Sequence, residues 1–439
     1  MPGGPRPDLS EPLNILILHR LGDPLYWRAA VRDLEHLLPD HAPHHRYVVH
    51  AADQPLPTYI KDVRFHGIVL GPTFLCARYA RHTMASVLDA FDFVRTSDAF
   101  KIALPQDDYD AHAVLDRWMI DWHIDLVYAA CSEHWDVLYP DYSRNGVIRQ
   151  GYTGYVADAW LNRWKQTTPF AQRTIDVSYR ARKLPPNFGR IGYIKGVIGE
   201  RFAGHPATAG LRLDISTEPE DLVAGARWHD FLDNSKFCLA TNTGSSLLDP
   251  NGDIRYCVER YLIRHAAASF DEVESHCFPG QDGRYVFTAI SPRNLEAALA
   301  QTVQIATPGP YGGILTATDH YIPIEPDCSN VTEVVAQMHD ETRVEAIRRQ
   351  AREAVLDRAE LRASIQATAM VSQIASGAGA KRVQATPTAQ VDAVLDRYHH
   401  DVTDRTDTFW RRRRRRLNAR SVLASLGARK IKRWLTRTS

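Results

Sequence analysis

The sequence has no apolar run that approaches the roughly 18 residues a membrane-crossing helix needs. Its first residues, MPGGPRPDLSEPLNILIL, lack a basic segment leading into an apolar stretch and a small-residue cleavage site, so they do not read as a secretion signal. Residence in the cytoplasm is the expectation. The six cysteines, Cys76, Cys131, Cys238, Cys257, Cys277 and Cys328, include no C-x-x-C pair, and reduced, mostly buried thiols are expected rather than a disulfide frame or a zinc site. His41, His44 and His45 in HAPHH have no partners at metal-ligand spacing and read as surface residues. The loop HRLGDP offers one useful glycine, Gly22, and not the G-x-G-x-x-G of a dinucleotide site. No metal and no cofactor is expected.

What is present is a chain of 439 residues with 44% hydrophobic and 24% charged residues, the balance of a globular protein. That length predicts two or three domains, because a single core rarely grows past about 250 to 300 residues. Charge is unevenly placed. Of the 53 Lys and Arg, 12 follow Asp407 with no acid among them, which leaves 41 basic against 52 acidic residues in the body. An acidic body without an RNA- or DNA-binding motif argues against a nucleic-acid partner.

Short apolar runs alternate with amphipathic ones. Strands are expected at Asn14 to Leu18, Arg46 to Ala52, His66 to Pro72, Phe100 to Pro105, Ile124 to Ala130 and Gly146 to Gln150. A second series runs through Thr174 to Tyr179, Leu211 to Ser216, Lys236 to Thr241, Thr302 to Thr307 and Tyr321 to Ile324. Near-continuous apolar strands separated by helices predict α/β architecture with two tandem Rossmann-like lobes and mostly parallel sheets. The expected boundaries are 1–165 for the first lobe, 166–340 for the second, 341–378 for a helix returning to the first, and 379–439 for a flexible linker and a basic tail. In such lobes ligands meet the loops at the carboxyl ends of the strands.

Several of those loops carry chemistry. DVSYRARKLP puts Arg180, Arg182 and Lys183 after the first strand of the second lobe, where cations can neutralise a diphosphate, although loop arginines are commonly just solvated. TNTGSSLLDPNGD offers Gly244, Ser245 and Ser246 as a close-approach turn or as an ordinary αβ connection, before a helix that Asp253 could cap. In PQDDYD, Asp108 and Asp110 have the two-apart spacing that can hold a hard cation, a weak signal because acidic turns are common. Ser291 followed by Pro292 reads as an N-cap with proline at the first helical position, and the helix it opens carries Glu296 among small apolar residues. A loop with Gly309, Pro310, Gly312 and Gly313 follows the next strand.

This order, from Thr288 to Asn330, resembles the donor-binding segment of GT-B glycosyltransferases of the bacterial group-1 and spore-maturation type. In that family a helix with an E-A-x-A core puts its Glu on the ribose of a nucleotide-sugar, and Glu296 matches it. The resemblance implies a nucleotide-sugar donor in the second lobe, held by Glu296, by Gly312 and Gly313, and by the Arg180 and Gly244 loops. It implies a carbohydrate or lipid-linked acceptor in the first lobe, cell-surface polysaccharide assembly as the setting, and His19, Asp107 and Asp108 as candidates for a proton-accepting base. Two departures stand out: Thr288 replaces the first Glu of the E-x7-E pattern, and Gln301 follows the alanines. They motivate an alternative, a non-catalytic nucleotide-sugar-binding or scaffold protein of the same fold. The tail, with Arg411 to Arg416 and then Leu417, Val422, Leu426, Ile431 and Trp434 among cations, reads as a basic amphipathic segment for the inner, anionic face of a cell membrane.

Overall fold

The structure is a computed structural model that describes residues 11–223, 225–387, 389–402, 406 and 408–415, with the side chain of Tyr26 left aside. The apolar runs of the first half become the strands Asn14–His19 (β1), Arg46–Ala51 (β2), Gly67–Leu70 (β3), Phe100–Ala103 (β4), Leu126–Ala129 (β5) and Val147–Gln150 (β6). Every residue of β1, β3 and β5 is buried, as strands covered on both faces require. They pair in parallel in the order β2-β1-β3-β4-β5-β6. The order reverses between β1 and β3.

The second half supplies Ile175–Arg180 (β7), Leu213–Ser216 (β8), Ser235–Ala240 (β9), Thr243–Ser245 (β10), Phe287–Ala289 (β11), Val303–Ala306 (β12) and Ile322–Pro323 (β13). Five of these form a second parallel sheet, β13-β12-β9-β7-β8, whose order reverses between β7 and β9. The α/β architecture of two tandem lobes with parallel sheets is therefore present as the sequence predicts. Each lobe has one topological switch point, the place where open α/β sheets bind ligands beyond their strand ends.

One element was not anticipated. β10 and β11 form an antiparallel ribbon, and between them the chain runs through the helices Asp253–Arg264 and Phe270–Cys277. These two helices pack side by side and bring Cys257 and Cys277, 20 positions apart, to a Cα separation of 5.5 Å in a disulfide. The expectation of six reduced thiols is corrected for this pair; Cys76, Cys131, Cys238 and Cys328 are free thiols. Asp253 is not the cap: Gly252, in the left-handed region at φ 80°, takes that position, and Asp253 sits in the first turn, paired with Arg81.

The excursion also ties the lobes together. The amide of Asp249 donates to the carbonyl of Tyr109 at 3.0 Å, the amide of His112 donates to that of Asp249 at 3.3 Å, and Arg255 pairs with the buried carboxylate of Asp110. Phe188 and Phe287 flank the ring of Tyr109.

After Met338 the long helical stretch is two helices. Glu341–Leu356 stays on the second lobe, whereas Ala363–Lys381 buries Ala367, Met370, Val371 and Ile374 against the first. The expected flexible linker starts late, because the helix continues through Gly377 and the buried Ala378 to Lys381. Gly377 is held there by contact, since the Phe100 ring occupies the space a Cβ would need. Residues 389–402 are again helical and cover the β2 edge, with Tyr398 hydrogen-bonded to His50 at 2.8 Å and Asp392 paired with Arg46. Arg411 to Arg415 lie in a last helical stretch, and the remainder of the basic tail lies outside the described residues.

Candidate functional site

At the carboxyl ends of β7 and β9 the second lobe opens into a cleft. This is its switch point, where open α/β sheets meet their ligands. Ser178, Tyr179 and Arg180 reach it from β7, Thr241 from just past the end of β9, Thr243 from the start of β10, Lys195 from the Gly189–Ala203 helix, and Ser291, Arg293 and Asn294 from the cap and first turn of the Pro292–Leu299 helix. Trp228 forms part of its wall.

Local sequence explains this placement. Ser291 caps its helix as expected, its hydroxyl accepting from the amide of Arg293, and the side chain of Asn294 returns to the amide of Ser291 at 3.2 Å to complete a capping box. Arg293 is thereby fixed at the helix start. Its guanidinium lies 4.5 Å over the Trp228 ring and donates to the carbonyl of Arg180 at 2.6 Å. The Gly189–Ala203 helix sits close on the sheet because Gly199 meets the Tyr179 ring and Ile215 where a Cβ would collide. Lys195 is carried to the cleft on that helix, and its carbonyl accepts from the hydroxyl of Tyr179 at 2.8 Å.

The electrostatics of the cleft are one-sided. Burial first, then the charges of Arg293 and of Arg28 from the first lobe, lower the pKa of Lys195 to about 8 against the opposing charge of Asp107. Burial likewise lowers Arg293, against an opposing contribution from Glu296 and with Arg182 and Arg28 adding repulsion. Lys195 and Arg293 thus share a partly desolvated cleft, and each also feels the positive charge of Arg28. Asp107 of the first lobe, in the left-handed region at φ 50°, contributes an opposing negative charge to Lys195.

The residues singled out from sequence divide into those at this cleft and those held elsewhere. Arg180 lines it, but its guanidinium is engaged by Asp214 at 2.5 Å and by the carbonyl of Asp221 at 3.0 Å. Lys183 is exposed and pairs with Glu218, while Arg182 stands near Arg293 with no acidic partner among the described residues. Glu296 does not line the cleft. It is buried behind Trp228, whose indole N–H donates to its carboxylate at 2.6 Å, with His229 3.7 Å away. Gly312 and Gly313 adopt left-handed backbone in a turn against Ile290 rather than lining the cleft.

Gly244, Ser245 and Ser246 prove to be structural. Gly244 pairs with Thr288 in the ribbon, where the Phe287 carbonyl fills the space of a Cβ. The Ser245 hydroxyl bonds to the backbone of Leu247, and that of Ser246 donates to Asp282 at 2.6 Å, so neither is directed at a ligand.

The candidate bases are also separated. His19 ends β1 at the first lobe's switch point, but burial, with His36 and His50, lowers its pKa to about 3. Its Nδ1 accepts from the amide of Leu21 at 3.3 Å, which leaves the proton of the neutral ring on Nε2, the arrangement of a donor rather than a base. Asp108 is buried, accepts from the hydroxyl of Tyr139 at 2.9 Å, and is raised to about 7 by burial. Asp110 is held by Arg255, so the two-apart carboxylates point to different partners. Asp107 accepts from the hydroxyl of Tyr109 at 2.7 Å and is the acid of this loop whose charge reaches Lys195.

No family model matches the sequence, and no curated protein matches it. Among solved structures, the chain is similar to Anabaena Alr3699/HepE in complex with UDP and glucose, at 11% identity and a TM-score of 0.42, covering 83% of this chain and 100% of that one. It is also similar to a DNA-modifying β-glucosyltransferase, at 10% identity and a TM-score of 0.42, over 83% of this chain and 100% of that one. A third similar structure is AviGT4, a glycosyltransferase involved in avilamycin A biosynthesis, at 12% identity and a TM-score of 0.40, over 84% of this chain and 99% of that one.

Proposed function

We propose that this protein transfers a sugar from a nucleotide-sugar donor to a carbohydrate or lipid-linked acceptor, in the assembly of a cell-surface polysaccharide. The observation that carries the reading is the pairing of Lys195 with Arg293 in a switch-point cleft, with Arg28 and Arg182 adding positive charge from outside it. Two like charges such as Lys195 and Arg293, both drawn out of water, are costly unless an anion joins them, and a nucleoside diphosphate supplies compact negative charge. As the glycosidic bond to the donor breaks, charge grows on the departing diphosphate. Lys195 and Arg293 are placed to neutralise it, Arg293 with its orientation fixed by Trp228 and the Arg180 carbonyl. Asp107 is the proton acceptor of choice for an acceptor hydroxyl entering between the lobes. The test is a thermal-shift panel of UDP, GDP, dTDP and CMP with their sugars.

A non-catalytic sugar-nucleotide-binding protein is the second reading. It is favoured by Thr288, which is buried in β11 opposite Gly244 at the position where the resembling family has a carboxylate. Binding of a sugar nucleotide without release of nucleoside diphosphate in the presence of acceptor extracts would select it.

A further inference from the structure

The first lobe's switch-point edge carries a feature that donor binding does not use. The loop after β1 ends in Asp23, which accepts from the amide of Leu25 through Oδ1 at 3.1 Å and pairs through Oδ2 with Arg414, also at 3.1 Å. One carboxylate thus fastens the tip of this loop to the last helical stretch of the chain. Leu25, at the tip, is 69% exposed. In the stretch that Arg414 ties to this loop, Arg412, Arg413 and Arg415 are exposed, and Trp410 is buried with the Arg413 guanidinium 5.3 Å from its ring. The chain continues from this point with residues 416–439, whose sequence adds seven more Lys and Arg and no acid, interleaved with Leu417, Val422, Leu426, Ile431 and Trp434.

We propose that the Leu25 loop and the Arg412 to Arg415 face together form a docking surface for a membrane of anionic lipids, which would hold the first lobe's switch-point edge against the headgroups. Charge complementarity selects the occupant: consecutive arginines on an otherwise acidic chain seek anionic phosphate, and the exposed leucine of the loop that Asp23 ties to them seeks an apolar layer, which a nucleic acid does not offer. The chain outside the described residues repeats the same chemistry from the same point. The proposal goes beyond the transferase reading and does not depend on it.

Sedimentation of the full chain with phosphatidylcholine vesicles containing phosphatidylglycerol tests it. Binding is expected at low salt, weak on pure phosphatidylcholine, and reversed by high salt. Arg412→Gln with Arg415→Gln should lower partitioning about twenty-fold, since each cation near such a surface is worth about five-fold, and Leu25→Asp should lower it several-fold without changing the thermal response to nucleotides. A chain ending at Arg415 should still bind, more weakly. The proposal is overturned if anionic vesicles do not bind, if duplex DNA binds at least as well, or if removal of residues 416–439 abolishes binding while the Leu25 and arginine variants leave it unchanged.

Discussion

The indole N–H of Trp228 donates to the buried carboxylate of Glu296 at 2.6 Å, and the guanidinium of Arg293 lies over that same indole. Glu296 therefore acts on the cleft through Trp228 and Arg293. Glu296→Gln keeps an acceptor for the indole and should leave nucleotide affinity within about three-fold. Glu296→Ala removes a hydrogen bond to a charged group worth about 1.5 to 3 kcal/mol and should weaken binding ten-fold or more. Titration calorimetry of both variants checks this, and equal ten-fold losses would show that the carboxylate itself touches the ribose.

Lys195 gives a signature in the ligand-free protein. Its native pKa, about 8, lies below the ordinary 10.5, so between those values the unfolded chain binds more protons than the folded one. Stability should rise with pH across that window. Lys195→Met should remove this rise and raise the melting temperature at pH 7, while weakening nucleotide binding. A structural lysine would lower the melting temperature instead.

Asp107 and Asp108 are neighbours with opposite expected roles. Asp107→Asn should lower the rate of transfer by about 10² or more, the usual range for loss of a general base, with little effect on donor affinity. Asp108 has its native pKa raised to about 7, so the folded state binds more protons between about pH 4 and 7 and stability falls as pH rises through that range. Asp108→Asn should keep the Tyr139 hydrogen bond, stabilise the protein most above pH 7 and retain activity. Denaturation at pH 5 and pH 8 with paired rate measurements separates the two.

The contact between lobes rests on Asp110 and Arg255. Arg255→Ala leaves a buried carboxylate without its cation and should cost about 3 kcal/mol or more in chemical denaturation. Asp110→Asn together with Arg255→Ala should recover part of that loss.

The sheets were legible in the sequence because their strands are continuous apolar runs, β1 being NILILH. The Ser291 cap was legible for a similar reason, since hydroxyl and proline at those positions have a local physical meaning. What escaped depends on contacts distant in sequence. Nothing in TNTGSS announces that Gly244 pairs with Thr288, or that 20 residues separate two bonded cysteines. Residues 379–381 read as linker because the partner that holds the helix end, Asp125 paired with Lys381, is remote in sequence. Arg293 did leave a trace: a cation in the first turn of a helix opposes the helix dipole, and such a placement needs another reason. Lys195 and Arg28 left none, because their meaning arises only when the two lobes face one another.

The most direct measurement is the melting temperature of the protein with each nucleoside diphosphate, repeated on Arg293→Ala. At about 100 times its Kd one of them should add roughly 2.7 kcal/mol of stability, and the shift should largely vanish in the variant. No shift with any nucleotide, or an equal shift in Arg293→Ala, would contradict the assignment of the cationic cleft as the donor site.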